Sequence, residues 1–225
     1  MIMSHKEHDI FENRRQFQLE RIILFSDAVF AIAITLLIIE IKVPHFDGNV
    51  TQQQLAHSLW EKLPDFIGFI ISFVVIGQFW TSHHRLFGYV KDFSPGLLWL
   101  NLLMLFWIVL MPFSTFLNMQ YGNLDITWFW YSMNLAMIEL SVYFLWKYLG
   151  KHEHLSIISD DKEYMEFAYR RSFLVLLIFL SGAILTLLPW LWVKWVSRFV
   201  FFLIFPVISY TRKKYTINKK PVQAG

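Results

Sequence analysis

Long apolar runs recur along the whole chain, and they restrict its fold more than any other feature. A helix that crosses a bilayer needs about 20 mostly apolar residues. Six segments reach or nearly reach this length. They are residues 21–43, 64–83, 96–117, 126–148, 171–189 and 191–210. Asn134 and Glu139 make the fourth segment the most polar. The sequence therefore predicts an all-α, polytopic membrane protein with six transmembrane helices.

The composition agrees with a membrane protein and removes several classes of function. Of the 225 residues, 56% are hydrophobic and 16% are charged, whereas soluble domains average roughly 45–50% and about 25%. A net charge of +3 is too small to indicate nucleic-acid binding, so we expect no nucleic-acid partner. The chain has no cysteine, which excludes disulfides and thiolate metal sites. We expect no cofactor and no structural metal.

Basic residues alternate between the predicted loops. Lys and Arg are frequent in residues 1–20, 84–95, 147–171 and 212–225, and they are sparse in the other loops. Because cytoplasmic loops carry an excess of Lys and Arg, we expect both termini in the cytoplasm, which requires an even number of spans. The chain then divides into a cytoplasmic N-terminal arm (1–20), a six-helix transmembrane domain (21–211) and a basic cytoplasmic tail (212–225). The first apolar run is too long for the core of a cleaved signal peptide, so we expect it to remain as the first span.

Polar residues share one membrane depth near the inner ends of the first three spans. Ser26 and Asp27 belong to the first span, and Asn101 belongs to the third. Trp80 and His84 lie on one helix face of the second, four residues apart. A polar group at this depth normally has a partner. We therefore expect an interhelical hydrogen-bond network that joins the first three spans.

Another face of the first span shows the opposite pattern. At helical spacing, it carries Phe25, Ala28, Ile32, Thr35, Leu36 and Ile39. A single hydroxyl interrupts an otherwise apolar surface. Periodicity alone favours lipid contact or helix packing as the interpretation of this face.

The motif RIILFSD at residues 21–27, followed by the apolar run to Pro44, resembles the RxxxFSD signature of the transmembrane protein 175 family. This family comprises lysosomal potassium channels and bacterial relatives. The likeness extends over the six-span unit and includes the Trp80/His84 pair and Asn101. A single six-span unit resembles the bacterial form, whereas the animal protein carries two units in tandem.

This resemblance implies a homotetramer in which the first helices of four copies line a central pore. It implies that Ile32 forms the main constriction and that Leu36 and Ile39 form the next rings toward the outside. It also implies that Thr35, together with Ile32, selects potassium as the permeant ion. The residues implied to pack around the pore helix are Arg21, Phe25, Ser26, Asp27, Trp80, His84 and Asn101. The implied partners are other copies of the chain and the lipid of a bacterial inner membrane.

The sequence lacks the filter of ordinary potassium channels. Those channels select with backbone carbonyls of a TVGYG-type loop. Here Gly88-Tyr89 follows Leu86-Phe87 and lies in a basic loop. Selection in such a channel needs another device, such as a hydrophobic constriction that passes a partly dehydrated ion.

A second function stays open beside the channel, namely a proton-coupled secondary transporter. It would use Asp27, Glu40 or Glu139 as its proton site, because an ionisable residue inside a membrane is functional by default. The sequence shows neither an inverted repeat nor a pair of Gly/Pro-broken helices, which are typical of such carriers.

A membrane enzyme is the weakest interpretation. It would depend on His83, His84 and Asp92, whose spacing matches neither a metal site nor a nucleophile with its base. We therefore expect no enzymatic activity. For His83, a solvated helix end is the favoured interpretation.

Overall fold

The computed structural model describes residues 5–157, 162–204, 206–207 and 209–210. The predicted tail at 212–225 lies outside the described residues. The α-helices are α1 (His5–Ile39), α2 (Gln52–Glu61), α3 (Leu63–Phe87), α4 (Pro95–Val109), α5 (Met111–Gln120), α6 (Asp125–Lys151), α7 (Lys162–Thr186) and α8 (Leu191–Phe199). Short 3₁₀ helices occupy Glu153–Leu155 and Val200–Leu203. The prediction of an all-α membrane protein is confirmed.

Four stretches of the described chain are long and apolar enough to cross a membrane. They are Arg14–Ile39, Leu63–Phe87, Pro95–Gln120 (α4 with α5) and Glu163–Thr186. They coincide with the first, second, third and fifth predicted spans. The sixth predicted span, 191–210, is not one helix, because α8 ends at Phe199 and a 3₁₀ turn follows. The number six therefore stays a prediction.

The fourth predicted span is a long helix whose polar residues face other helices. α6 has 27 residues, which at 1.5 Å per residue spans about 40 Å and exceeds the ~30 Å hydrocarbon core. Asn134 and Glu139 are only 3% and 8% exposed, since α6 packs against α4, α5 and α7. Its lower apolar content reflects burial inside the bundle and not exposure to water.

Two helices begin earlier than the apolar pattern predicts. α1 starts at His5, so most of the predicted arm at 1–20 is helical and continuous with the first span. α7 starts at Lys162, whereas its predicted span starts at 171. Hydropathy marks where the lipid begins. Backbone hydrogen bonds within the helix do not depend on apolar side chains, so the helix continues beyond the lipid.

The third span is broken at Leu110, between α4 and α5. Pro112 has no N–H to continue the helical hydrogen bonds. The Ser114 hydroxyl donates to the Leu110 carbonyl at 2.9 Å, and Asn134 Nδ2 of α6 donates to Ser114 Oγ at 2.9 Å. The bond from Asn134 ties this part of the third span to α6.

The loops predicted to be cytoplasmic meet at one end of the bundle. The Lys91 N–H donates to the Leu155 carbonyl at 2.7 Å, which joins the α3–α4 loop to the α6–α7 loop. Arg15 Nη1 of α1 donates to Asp92 Oδ2 at 2.7 Å. Three of the four basic segments therefore lie on the same side of the fold.

Gly96 allows α4 to approach α6 closely. A Cβ at this position would lie 2.4 Å from the Tyr148 hydroxyl oxygen, which is held by a hydrogen bond with Ser94 Oγ at 2.8 Å. We expect Gly96→Ala to lower the free energy of unfolding by about 1–3 kcal/mol through overpacking. Thermal unfolding of the purified protein in detergent measures this loss.

Gly77→Ala is the matched control, because a Cβ there meets no atom within 4 Å. We expect it to be neutral or slightly stabilising, since alanine is preferred over glycine inside a helix. Combining Gly96→Ala with Tyr148→Phe should restore part of the lost stability. Equal stability of the two alanine variants would contradict the packing argument.

Candidate functional site

α1 has two faces with different surroundings. One face packs into the bundle against α3, α4 and α5. Its members are Ile22, Ser26, Phe30, Ala33 and Leu37, each at most 7% exposed. The opposite face is not covered by any part of the chain that the structure describes. Its members are Phe25, Ala28, Ile32, Thr35, Leu36 and Ile39, all of them exposed.

The uncovered face is apolar with one hydroxyl. Ile32 is 58% exposed and Ile39 is 67% exposed, whereas Leu36 is 39% exposed. Thr35 Oγ1 donates its hydrogen to the Ile32 carbonyl at 2.9 Å. Because that hydrogen is used within the helix, the lone pairs of the hydroxyl oxygen are what Thr35 offers outward. Such an oxygen can accept a cation but not an anion.

A buried hydrogen-bond chain lies behind this face and connects three helices. Asn101 Nδ2 of α4 donates to Ser26 Oγ of α1 at 2.9 Å. The Ser26 hydroxyl in turn donates to the Ile22 carbonyl at 2.8 Å. On its other side, Asn101 Oδ1 accepts from His83 Nε2 of α3 at 2.9 Å. Ser26 and Asn101 are fully buried, and His83 is 2% exposed.

A second contact joins α1 to α3 beside this chain. Trp80 Nε1 donates to Asp27 Oδ1 at 2.9 Å. The ring of His84 packs against the Trp80 indole, with ring centroids 5.7 Å apart. His84 itself is exposed. Asp27 therefore has a partner on another helix, and His84 supports that partner by ring contact.

The structure changes the interpretation of His83. The sequence favoured a solvated helix end for His83, and this interpretation is wrong, because His83 is buried and bonded to Asn101. Its burial follows from helical spacing, since Ser72, Ile76 and Phe79 form the buried stripe of α3 and His83 continues it. The exposed side of α3 is apolar as well, with Ile70, Phe73 and Val74, so the sequence alone does not show which side of this helix is buried.

Two signature residues lie on the uncovered side of α1 and not in the buried chain. Phe25 is 53% exposed. Arg21 is exposed as well, and its guanidinium carbon lies 5.8 Å from the centre of the Phe17 ring. Both residues are free to contact lipid or another copy of the chain.

The carboxylates considered for a transporter are not brought together. Asp27 contacts Trp80 on α3, and Glu40 directly follows the end of α1. Glu139 is buried in α6, where Arg171 of α7 attracts it electrostatically. The described residues contain no group of three His, Cys, Asp or Glu side chains that could hold a metal ion.

The residues considered for an enzyme are also separate. His83 is buried and His84 is exposed. Asp92 uses its carboxylate oxygens for Arg15 and for the Phe93 N–H. This arrangement offers no nucleophile with an adjacent base.

We expect Asn101→Ala to destabilise the bundle by about 1–3 kcal/mol, because the buried His83 Nε2 loses its acceptor and the Ser26 oxygen loses its donor, although the Ser26 hydroxyl keeps its bond to the Ile22 carbonyl. Thermal unfolding in detergent measures the effect. Gln78→Ala is the control, since Gln78 is a polar but exposed residue of the neighbouring α3. If both variants unfold at the wild-type temperature, the buried chain does not hold these helices together.

Comparisons with known proteins agree with this geometry. Residues 21–112 match the family described as "Endosomal/lysosomal potassium channel TMEM175". A protein named potassium channel from Streptomyces collinus is 38% identical over 139 residues, which cover 60% of this chain and 66% of that protein. The endosomal/lysosomal proton channel TMEM175 of Gallus gallus is 36% identical over 109 residues, which cover 46% of this chain and 22% of that protein.

A solved structure extends the likeness to the fold. The crystal structure of a lysosomal potassium-selective channel TMEM175 homolog from Chamaesiphon minutus matches with a TM-score of 0.72 and 28% identity. The match covers 86% of this chain and 98% of that chain. The chain thus spans less than two thirds of both sequence relatives, and nearly all of the solved chain.

Proposed function

Because this chain belongs to the TMEM175 family, we propose that it is the subunit of a potassium-selective channel of the bacterial inner membrane. Four copies place α1 around one central pore, and both termini lie in the cytoplasm. The region matched by the family, residues 21–112, includes the transmembrane part of α1 and the residues that hold it. The meeting of three basic segments at one end of the bundle supports this orientation.

One observation supports the proposal most strongly: the face of α1 that would line a pore is the face that the other described residues leave uncovered. A single helix per subunit cannot enclose a channel. Closed cyclic symmetry brings the same face of each copy to a common axis. An apolar face with one hydroxyl then becomes a narrow, mostly dry passage and not a surface in lipid.

Ile32 forms the narrowest ring in this proposal, and Leu36 and Ile39 form the next rings along the pore. A hydrophobic constriction hinders the passage of ions because water is readily lost from it, and such a constriction can gate by dewetting. A partly dehydrated ion crosses such a ring at lower cost when its hydration shell is weaker, which favours potassium over sodium. The Thr35 oxygen, one turn from Ile32, replaces part of the lost hydration.

The buried network has a positioning role in this proposal. Ser26, Asn101 and His83 fix the rotation of α1 about its axis, and Trp80 with Asp27 adds a second anchor. Arg21 and Phe25, on the uncovered side, face the neighbouring copies. The separation of the carboxylates gives no support to a proton-coupled transporter.

The first test is ion flux through the purified full-length protein in liposomes. We expect uncoupled potassium flux that is slower when sodium replaces potassium, and proton flux is measured in the same vesicles because some relatives are named proton channels. We expect Ile32→Ala to raise the conductance. A barrier lower by about 1.4 kcal/mol corresponds to a tenfold increase.

Ile38→Ala is the control for Ile32→Ala. Ile38 is 44% exposed but lies on a different side of α1, so its truncation should leave conductance and selectivity unchanged. No flux in the wild-type protein, or flux only with a proton gradient, would contradict the channel. If Ile32→Ala does not change the flux, the channel function still stands, but Ile32 does not form its constriction.

We expect Thr35→Val to reduce the preference for potassium over sodium while conduction is kept. Valine retains the shape of threonine but lacks the oxygen, and losing one such interaction of about 1 kcal/mol lowers the permeability ratio by roughly fivefold. Reversal potentials under mixed-ion conditions measure this ratio. Thr35→Ser keeps the hydroxyl and should retain the wild-type ratio, whereas equal ratios in all three proteins would exclude the hydroxyl from selection.

A further inference from the structure

α2 is a short helix between two membrane spans whose apolar side is uncovered. None of its residues is buried, and it packs mainly against α3. Leu55, Leu59 and Trp60 are 39%, 48% and 73% exposed. At helical spacing they lie on one side of α2, whereas His57 and Glu61 lie on the other. The helix is therefore amphipathic, and no apolar core among the described residues covers its apolar side.

The first turn of α2 is capped locally, and its other end adjoins the start of a membrane-spanning helix. At its start, Gln54 N donates to Thr51 Oγ1 at 3.3 Å and Thr51 N donates to Gln54 Oε1 at 3.0 Å, a reciprocal capping box. At its end, Lys62 keeps a helical conformation, and its ammonium pairs with Asp65 Oδ2 at 3.2 Å in the first turn of α3. α2 thus cannot move far from the end of a membrane-spanning helix.

The apolar side of α2 continues onto the surface of α3. Leu63, Phe66, Ile67 and Ile70 extend the strip from Leu59 into the span, and they are 44%, 37%, 50% and 56% exposed. In a membrane-spanning helix, an exposed apolar surface of this kind is solvated by lipid wherever no other copy of the chain covers it. Because the two surfaces are continuous, the same solvent reaches the apolar side of α2.

We propose that α2 lies in the interfacial layer of the bilayer, at the end of the spans opposite the basic loops, with Leu55, Leu59 and Trp60 inserted among phospholipids. Tryptophan at the edge of an amphipathic helix prefers the headgroup level. α2 itself contains no Lys or Arg, so insertion depends on apolar contact and not on attraction to anionic headgroups. The proposal rests on the membrane fold and not on ion selectivity.

The absence of cysteine from the sequence provides a direct test. A nitroxide is attached to Leu59→Cys on the apolar side or to His57→Cys on the polar side of full-length protein in phosphatidylcholine vesicles. Collisions with oxygen, which concentrates in hydrocarbon, and with a water-soluble nickel chelate are then measured. We expect a ratio of oxygen to nickel collisions severalfold higher at 59 than at 57. Adding phosphatidylglycerol should leave this difference unchanged.

Two results would overturn the proposal. Equal and high nickel collisions at both positions would place the apolar side of α2 in water. Protection of position 59 from both reagents, with spectral broadening that disappears on dilution with unlabelled protein, would show that a second copy covers this side. Leu55→Cys and Glu61→Cys form a second pair that gives the same reading if either first variant does not assemble.

Discussion

The amide of Asn101 is the contact on which the arrangement of the first three spans depends. It donates to α1 through Ser26 and accepts from α3 through His83. Neither lipid nor water reaches this site, so each of these polar groups needs a protein partner. Hydrogen bonds between membrane helices contribute only about 0.6–2 kcal/mol each. Their value here is geometric, because a donor and an acceptor on one side chain fix two neighbouring helices at once.

The contact of Asn101 with Ser26 determines which residues of α1 face outward. Neighbouring residues on a helix differ by about 100° in direction, so a rotation of α1 by one position would turn Ile32 and Thr35 away from their present face. Ser26 and Ala33 point into the bundle with no more than 1% exposure, and small residues there allow the close packing that opposes rotation. The inner polar chain and the outer apolar face are therefore two consequences of a single orientation.

Much of this arrangement could be predicted from the sequence, and the failures have physical causes. Helical periodicity placed Ile32 on a different side of α1 from Ser26 and Asp27, because the direction of every side chain on a regular helix follows from its position in the sequence. The interpretation of His83 as a solvated residue failed because both sides of α3 are apolar, so the sequence does not show which side is buried. Hydropathy gave the start of the first span but not the start of α1 at His5, since it detects lipid contact and not helix length. It gave no sign of α2, whose apolar side is too short to resemble a span.

A pore built from this face would select ions differently from one lined by carbonyls. A carbonyl filter replaces the hydration shell, whereas rings of isoleucine and leucine can only remove part of it. The ion with the weaker shell then crosses more easily. The hydrogen of Thr35 is already used by the Ile32 carbonyl, so such a pore would present oxygen lone pairs to an ion that is losing water. An apolar ring with one acceptor beside it therefore disfavours anions and discriminates among cations by the cost of dehydration.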